Sequence, residues 1–227
     1  MTGRRVRSRV LAALKSGEDL SLMEDLPLPR LINALLSALC RPEEGSRWPA
    51  VEALGRAVAR LAGEDQEAAR NHARRLIWNL NDESGTIPWG AAEALAEILA
   101  RVPSLGKEFS ALLVFRLRDD PGSPDFPPLV EGALWAVGRL AQAEKAYAAG
   151  AGQHLGRFLS SPEPRIRALA AWTAGLADEP GLEEKLAGLA GDQAQVRLYL
   201  GGRFRQTTVG RLAREALARM SHEDHPS

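Results

Sequence analysis

The sequence predicts an all-α chain: an α-α superhelix of about five helix pairs stacked side by side, with a short β-hairpin inserted in the last pair. Three observations predict it. Ala and Leu together number 71 against 15 for Ile and Val, a ratio that favours helix because β-branched side chains lose more freedom there. Apolar residues recur at helical spacing in two alternating sets of segments. One of those sets carries a small residue in mid-stripe (Gly55, Ala96, Gly138, Gly175 and Ala218), at separations of 41, 42, 37 and 43 residues. Self-similarity at such a period marks a stack of supersecondary units, each unable to bury its apolar face alone.

The elements follow in order. Val6, Val10 and Leu14 stand at helical spacing and place an N-terminal capping helix over 3–16. The first helix of each pair (A) is marked by Leu31, Leu35 and Leu39; by Leu76 and Leu80; by Phe109, Leu113 and Leu117; by Leu155 and Leu159; and by Leu182, Leu186 and Leu189. The second helices (B) are Val51–Val58, Ala92–Leu99, Leu134–Ala141, Ala171–Leu176 and Arg214–Met220. Leu39 to Gly55, Leu80 to Ala96 and Leu159 to Gly175 each span 16 residues, whereas Leu117 to Gly138 spans 21. The five extra residues fall within Asp119–Pro128, whose Pro and Gly mark a loop.

In the fifth pair, Gln195–Leu200 and Arg203–Thr207 alternate around Gly201-Gly202, which is a hairpin signature. The hairpin is expected over 195–208, with Thr207 or Thr208 capping the helix after it. A single solenoid domain is expected over 1–220, followed by a polar, frayed tail over 221–227.

Composition narrows the function classes. The 227 residues can bury roughly 70% of their unfolded surface without staples. Twenty-nine basic residues balance 29 acidic ones, which argues against nucleic acid or an anionic membrane as a partner held by bulk charge. Cys40 is the single cysteine. It excludes a disulfide framework and a multi-cysteine zinc site, and a lone thiol suits a reducing interior. Val10–Leu14 is too short for the apolar core of a signal peptide, and no other segment approaches a membrane span. The expected location is cytoplasmic.

The segment Ser161-Pro-Glu-Pro-Arg-Ile-Arg-Ala-Leu-Ala-Ala-Trp-Thr-Ala-Gly-Leu-Ala177 is similar to the HEAT-like repeats of the phycobilisome-lyase type. It carries that family's turn, its Val-Arg pair (here replaced by Ile166-Arg167) and an Ala-rich run closed by a small residue. The likeness covers roughly residues 28–220. Leu76-Ile-Trp-Asn-Leu-Asn-Asp-Glu-Ser-Gly-Thr-Ile-Pro-Trp-Gly90 also resembles a signature of an uncharacterised bacterial HEAT-like family. The resemblance implies a solenoid whose B helices line a concave surface and whose members mostly act as adaptors. It implies no activity and no cofactor.

Three constellations could carry function. In the B helices, the position three before the small residue holds Glu52, Glu93, Trp135, Trp172 and Glu215, and the position one turn earlier holds Trp48, Trp89, Glu131, Ala168 and Arg211. Residues four apart share a helix face. Stacked B helices would therefore align Trp48/Glu52, Trp89/Glu93, Glu131/Trp135 and Trp172 into a stripe of indoles and carboxylates. Such a stripe suits a basic peptide or cationic ligand. It borders the apolar face, so the same indoles could instead fill space between repeats.

The polar run Asn81-Asp82-Glu83-Ser84-Gly85 could hold a hard cation or an acid–base pair, but these are also ordinary turn and cap residues. It lacks the spacing of a calcium-binding loop. The stretch Gln195–Arg219 carries six arginines against Glu215 alone, with Tyr199 and Phe204 between them. It could touch phosphates and bases, or be a solvated face balanced by acidic residues such as Glu183 and Glu184.

His72, His154, His222 and His225 show no ligand spacing, and no phosphate-cradling glycine loop is present. The expectation is a non-catalytic scaffold, with no metal and no cofactor, gripping a protein or peptide. Its expected contact residues are Trp48, Glu52, Asn81, Asp82, Glu83, Trp89, Glu93, Glu131, Trp135 and Trp172. The rival is a nucleic-acid-binding protein resembling the DNA-repair glycosylases built on HEAT-like repeats, which use tryptophans and a carboxylate to hold a damaged nucleotide. Trp48/Glu52 and Trp89/Glu93 suit that arrangement, but acidic residues stand beside them where a DNA channel needs Lys and Arg.

Overall fold

A computed structural model describes residues 2–16, 25–40, 43–81, 89–120, 125–178 and 180–223. These are mostly helical, with one two-stranded antiparallel hairpin near the C-terminus. The contacts divide the chain into two compact units, Met1–Gly106 and Lys107–Ser227.

The first unit holds α1 (Gly3–Ser16), α2 (Leu28–Leu39), α3 (Glu44–Glu64), α4 (Gln66–Leu80), α5 (Ala91–Arg101) and the start of α6 (Pro103–Phe115). Helix α1 buries Val6, Val10, Ala13 and Leu14 and packs on α2 and α3. Helix α3 packs in turn on α4 and α5, and α4 packs on α5. Local chemistry sets the helix starts. Pro27 precedes α2, which has a proline in its first turn. The Asp65 carboxylate accepts the Ala68 amide at 2.9 Å and caps α4. Gly90, at φ 68°, takes the left-handed conformation just before α5.

The second unit continues α6 and adds α7 (Pro127–Ala143), a 3-10 turn (Lys145–Ala148), α8 (Gly152–Leu159), α9 (Pro164–Ala177), α10 (Glu183–Leu189), strands β1 (Gln195–Leu200) and β2 (Arg203–Thr208), and α11 (Val209–Glu223). Helices α7 and α9 both open on proline. Helix α9 sits between α7 and α11 and also packs on α8, while α10 packs on α11.

Every A and B segment expected from periodicity is a helix, and the hairpin occupies 195–208 as expected. Two bounds differ. Helix α3 starts at Glu44, upstream of the expected Val51, and passes through Pro49. Having no N–H, Pro49 donates no intrahelical bond there. Helix α11 runs to Glu223, three residues into the expected tail, and the Ser221 hydroxyl donates back to the Leu217 carbonyl at 2.9 Å.

The mid-stripe glycines mark where neighbouring B helices meet most closely. A Cβ on Gly55 of α3 would lie 2.8 Å from the Glu97 Cβ of α5. On Gly138 of α7 it would lie 2.3 Å from the Trp172 ring of α9. On Gly175 of α9 it would lie 2.5 Å from the Ala216 Cα of α11. Real side-chain carbons do not approach so closely, so these three positions require glycine for the observed packing.

Candidate functional site

The hairpin explains much of the second unit. Its strands pair from Gln195↔Thr208 to Leu200↔Arg203. Gly201 and Gly202 take φ 60° and 78°, the pair of positive angles that a tight two-residue turn needs. Val196, Leu198, Tyr199 and Leu200 are buried. On the paired positions Tyr199 and Phe204 the rings meet edge to face with centroids 5.2 Å apart, and the Arg197 guanidinium lies 3.6 Å from the centre of the Phe204 ring.

This ribbon lies on stripe positions of α7, α9 and α11. The Trp135 indole N–H donates to the Tyr199 carbonyl at 2.6 Å. Trp135 and Trp172 stack with centroids 6.5 Å apart and are 4% and 5% exposed. Glu131 accepts from Arg165 Nε at 2.8 Å, and the same guanidinium donates through Nη1 to the Arg197 carbonyl at 2.7 Å. Glu215 accepts from Arg205 of β2 at 3.0 Å and from Arg211, one turn away on α11, at 3.1 Å. The Arg205 hydrogen bond, with Arg211 adding to it, outweighs partial burial and holds the Glu215 carboxyl below its ordinary 4.5. Three stripe residues of this unit, together with Glu215 at the corresponding position of α11, thus hold an extended segment of the same chain. Of these four, three meet it directly or through one arginine, and Trp172 backs the indole that does so.

A second clamp fixes the loop ahead of the hairpin. Arg167 of α9 donates to Asp192 Oδ2 from Nε at 3.0 Å and Nη2 at 2.7 Å, and its Nη1 reaches the Ser161 and Pro162 carbonyls at 2.8 and 2.9 Å. Burial alone would raise the Asp192 carboxyl, but the Ala194 amide and then Arg167 outweigh it and leave it below its ordinary 3.8. The Asp192 and Ala194 carbonyls accept the Gly210 and Val209 amides at 2.8 and 3.2 Å. Thr208, the second of the two threonines expected to cap α11, accepts the Arg211 amide at 3.1 Å.

In the first unit the stripe is arranged differently. Trp48 and Glu93 are 6% exposed each. Trp89 and Glu52 are half-buried. The Arg47 guanidinium lies 5.7 Å from the centre of the Trp89 ring, and Arg47 is itself 3.9 Å from Glu44. Glu52 lies 3.8 Å from Arg56, one turn along α3. Trp89 and Glu52 are therefore the stripe residues of this unit with side-chain surface still in solvent. Asn81 is exposed and ends α4 as its C-cap residue, its amide donating to the Trp78 carbonyl at 3.0 Å. Asp82, Glu83 and the rest of that polar run lie outside the described residues, as does the His225 tail.

Among the described residues no group of three His, Cys, Asp or Glu side chains could hold a metal ion, and no helix is long and apolar enough to cross a membrane. Cys40 is a free, exposed thiol. Several residues that organise the hairpin dock were not singled out by sequence reasoning: Arg165, Asp192 and the carbonyls of Arg197 and Tyr199. The balance for the C-terminal arginines also differs from expectation. Glu215 takes Arg205 and Arg211, whereas Glu183 accepts the Gly181 amide at 2.8 Å and begins α10.

No family model matches the chain. An uncharacterised protein of Archaeoglobus fulgidus is 39% identical over 85 residues, a segment covering 37% of this chain and 43% of that protein. The match thus spans less than half the length of that relative. Among solved structures, an engineered protein from the Northeast Structural Genomics Consortium superposes with a TM-score of 0.57 over 98% of both chains at 17% identity. At that identity the likeness concerns the fold alone.

Proposed function

We propose that the chain is a non-catalytic HEAT-like solenoid that acts as a protein-interaction scaffold, and that the stripe of the first unit grips an extended, arginine-bearing segment of a partner. One observation carries this reading. In the second unit the equivalent positions already hold extended backbone: an indole N–H takes a main-chain carbonyl, and carboxylates hold arginines that reach the ribbon. The first unit repeats the residue types, with Trp89 and Glu52 half-open to solvent. An indole that buries a large area and a carboxylate that takes an arginine are the anchors such a segment needs. The helix pairs packed in sequence and the glycine contacts between B helices support the solenoid assignment.

The probe is a synthetic peptide with the sequence of residues 195–208, titrated into the full chain by calorimetry. The reading expects saturable binding that weakens at least about tenfold in Trp89→Ala and in Glu52→Gln, equivalent to about 1.4 kcal/mol. Absence of binding, or binding that neither substitution changes, would refute it. Helicity measured alongside separates a lost contact from a lost fold.

A further inference from the structure

The overall charge balance conceals a strongly one-sided helix. Helix α1 carries Arg4, Arg5, Arg7, Arg9 and Lys15 and no acidic residue. Its apolar side, Val6, Val10, Ala13 and Leu14, is spent on α2 and α3. The remaining arc is exposed at Arg4, Arg5, Arg7, Ser8, Arg9, Ala12 and Lys15. By helical periodicity Arg4, Ser8 and Lys15 run along the crest of that arc, with Arg5 and Arg9 on one flank and Arg7 on the other. Arg9 meets Asp25 at 2.8 Å, which holds the Asp25 carboxyl below its ordinary 3.8. Among the described residues Arg4, Arg5, Arg7 and Lys15 have no ion pair.

The arrangement works against the helix that carries it. Arg4 and Arg5 lie in the first turn, at the positive end of the helix dipole, where cations are disfavoured. Arg4–Arg7 and Arg5–Arg9 are like-charge neighbours three and four residues apart, each destabilising by a few tenths of a kcal/mol. An anionic partner would reverse both effects.

The chemistry of the face selects among anions. A membrane surface needs an apolar stripe to insert, and here that stripe is buried in the unit. A protein hot spot needs an aromatic or large apolar anchor, and the exposed arc offers none. What remains is a set of guanidinium groups spread over the crest and both flanks, which match phosphate in a bidentate fork.

We propose that the exposed face of α1 docks on the phosphate backbone of a duplex nucleic acid, without reading its sequence. The inference is independent of the stripe and of its partner. Arg4, Arg5, Arg7 and Lys15 together imply about four phosphate contacts, so the logarithm of the binding constant should fall against the logarithm of salt with a slope near −4.

The test is fluorescence anisotropy of a labelled 20-base-pair DNA of arbitrary sequence, between 50 and 200 mM salt, with the full chain and with Arg4→Gln/Arg5→Gln/Arg7→Gln. Gln matches Arg closely in helix propensity, and equal thermal midpoints confirm that the variant is folded. The proposal expects binding by the parent chain and a slope near −1 in the variant. No saturable binding at 50 mM, or the same slope in both proteins, overturns it. So does retention by phosphatidylserine vesicles or by polyglutamate that equals duplex binding and depends on the same arginines, since that would reassign the face to a membrane or to an acidic protein.

Discussion

Gly55 and Gly63 lie on the same helix, α3, yet their surroundings differ. A Cβ on Gly55 would sit 2.8 Å from the Glu97 Cβ and 3.2 Å from the Glu97 carbonyl carbon, whereas a Cβ on Gly63 would meet nothing within 4 Å. Replacing either glycine by alanine gains helix propensity worth up to about 1 kcal/mol. At Gly63 that gain stands alone. At Gly55 the new methyl is about 0.6 Å short of the 3.4 Å at which ordinary contact begins, and although the Arg101 Nε at 3.2 Å can swing aside, the Glu97 Cβ and carbonyl carbon are fixed to the α5 backbone. Helices α3 and α5 must therefore separate, an overpacking that costs about 1–3 kcal/mol. Gly55→Ala should lose up to about 2 kcal/mol net once the propensity gain offsets part of the overpacking, while Gly63→Ala should gain up to about 1 kcal/mol. Urea unfolding followed by far-UV circular dichroism, with unchanged slopes, reads both directly. Equal stabilisation by the two substitutions would refute the claim that the B helices meet at this glycine.

The hairpin clamps give two further outcomes. The folded chain binds the Glu215 proton more weakly than the unfolded chain does, because that carboxyl is held below its ordinary 4.5 by Arg205. Its stabilising contribution is complete above about pH 4.5 and lost as pH falls through the depressed folded value. Urea midpoints measured from pH 6 to 3 should fall less steeply in Glu215→Gln than in the parent. Arg167→Lys should destabilise the second unit by about 1–2 kcal/mol, because a single ammonium cannot hold Asp192 in a fork and also reach the Ser161 and Pro162 carbonyls. Thermal unfolding of that variant checks it.

The helices and the hairpin were legible because their signals are local. Apolar spacing located the helices, and alternation around Gly201-Gly202 located the hairpin. The mid-stripe spacing also singles out Gly55, Gly138 and Gly175, where the B helices approach closely. What the hairpin touches was not legible. Trp135 and the Tyr199 carbonyl are 64 positions apart, and no periodicity connects them. From sequence alone the indoles of α7 and α9 were as well explained by packing between repeats as by a binding surface. In the second unit they do both: Trp172 lies over Gly138, while Trp135 stacks on it and holds the ribbon. The Arg211–Glu215 pair is one turn apart on α11 and so is local, but Arg205 reaches Glu215 only when β2 folds back beside α11.

The claim that stripe positions hold extended backbone is tested most directly by hydrogen exchange, read by mass spectrometry, on Trp135→Phe. The substitution keeps an aromatic ring against Trp172 and removes the indole N–H that bonds the Tyr199 carbonyl, a loss of about 1 kcal/mol. The account predicts that amides of 195–208 exchange about fivefold faster while those of α9 keep their protection. Unchanged exchange in the ribbon, or equal loosening of α9, would contradict it.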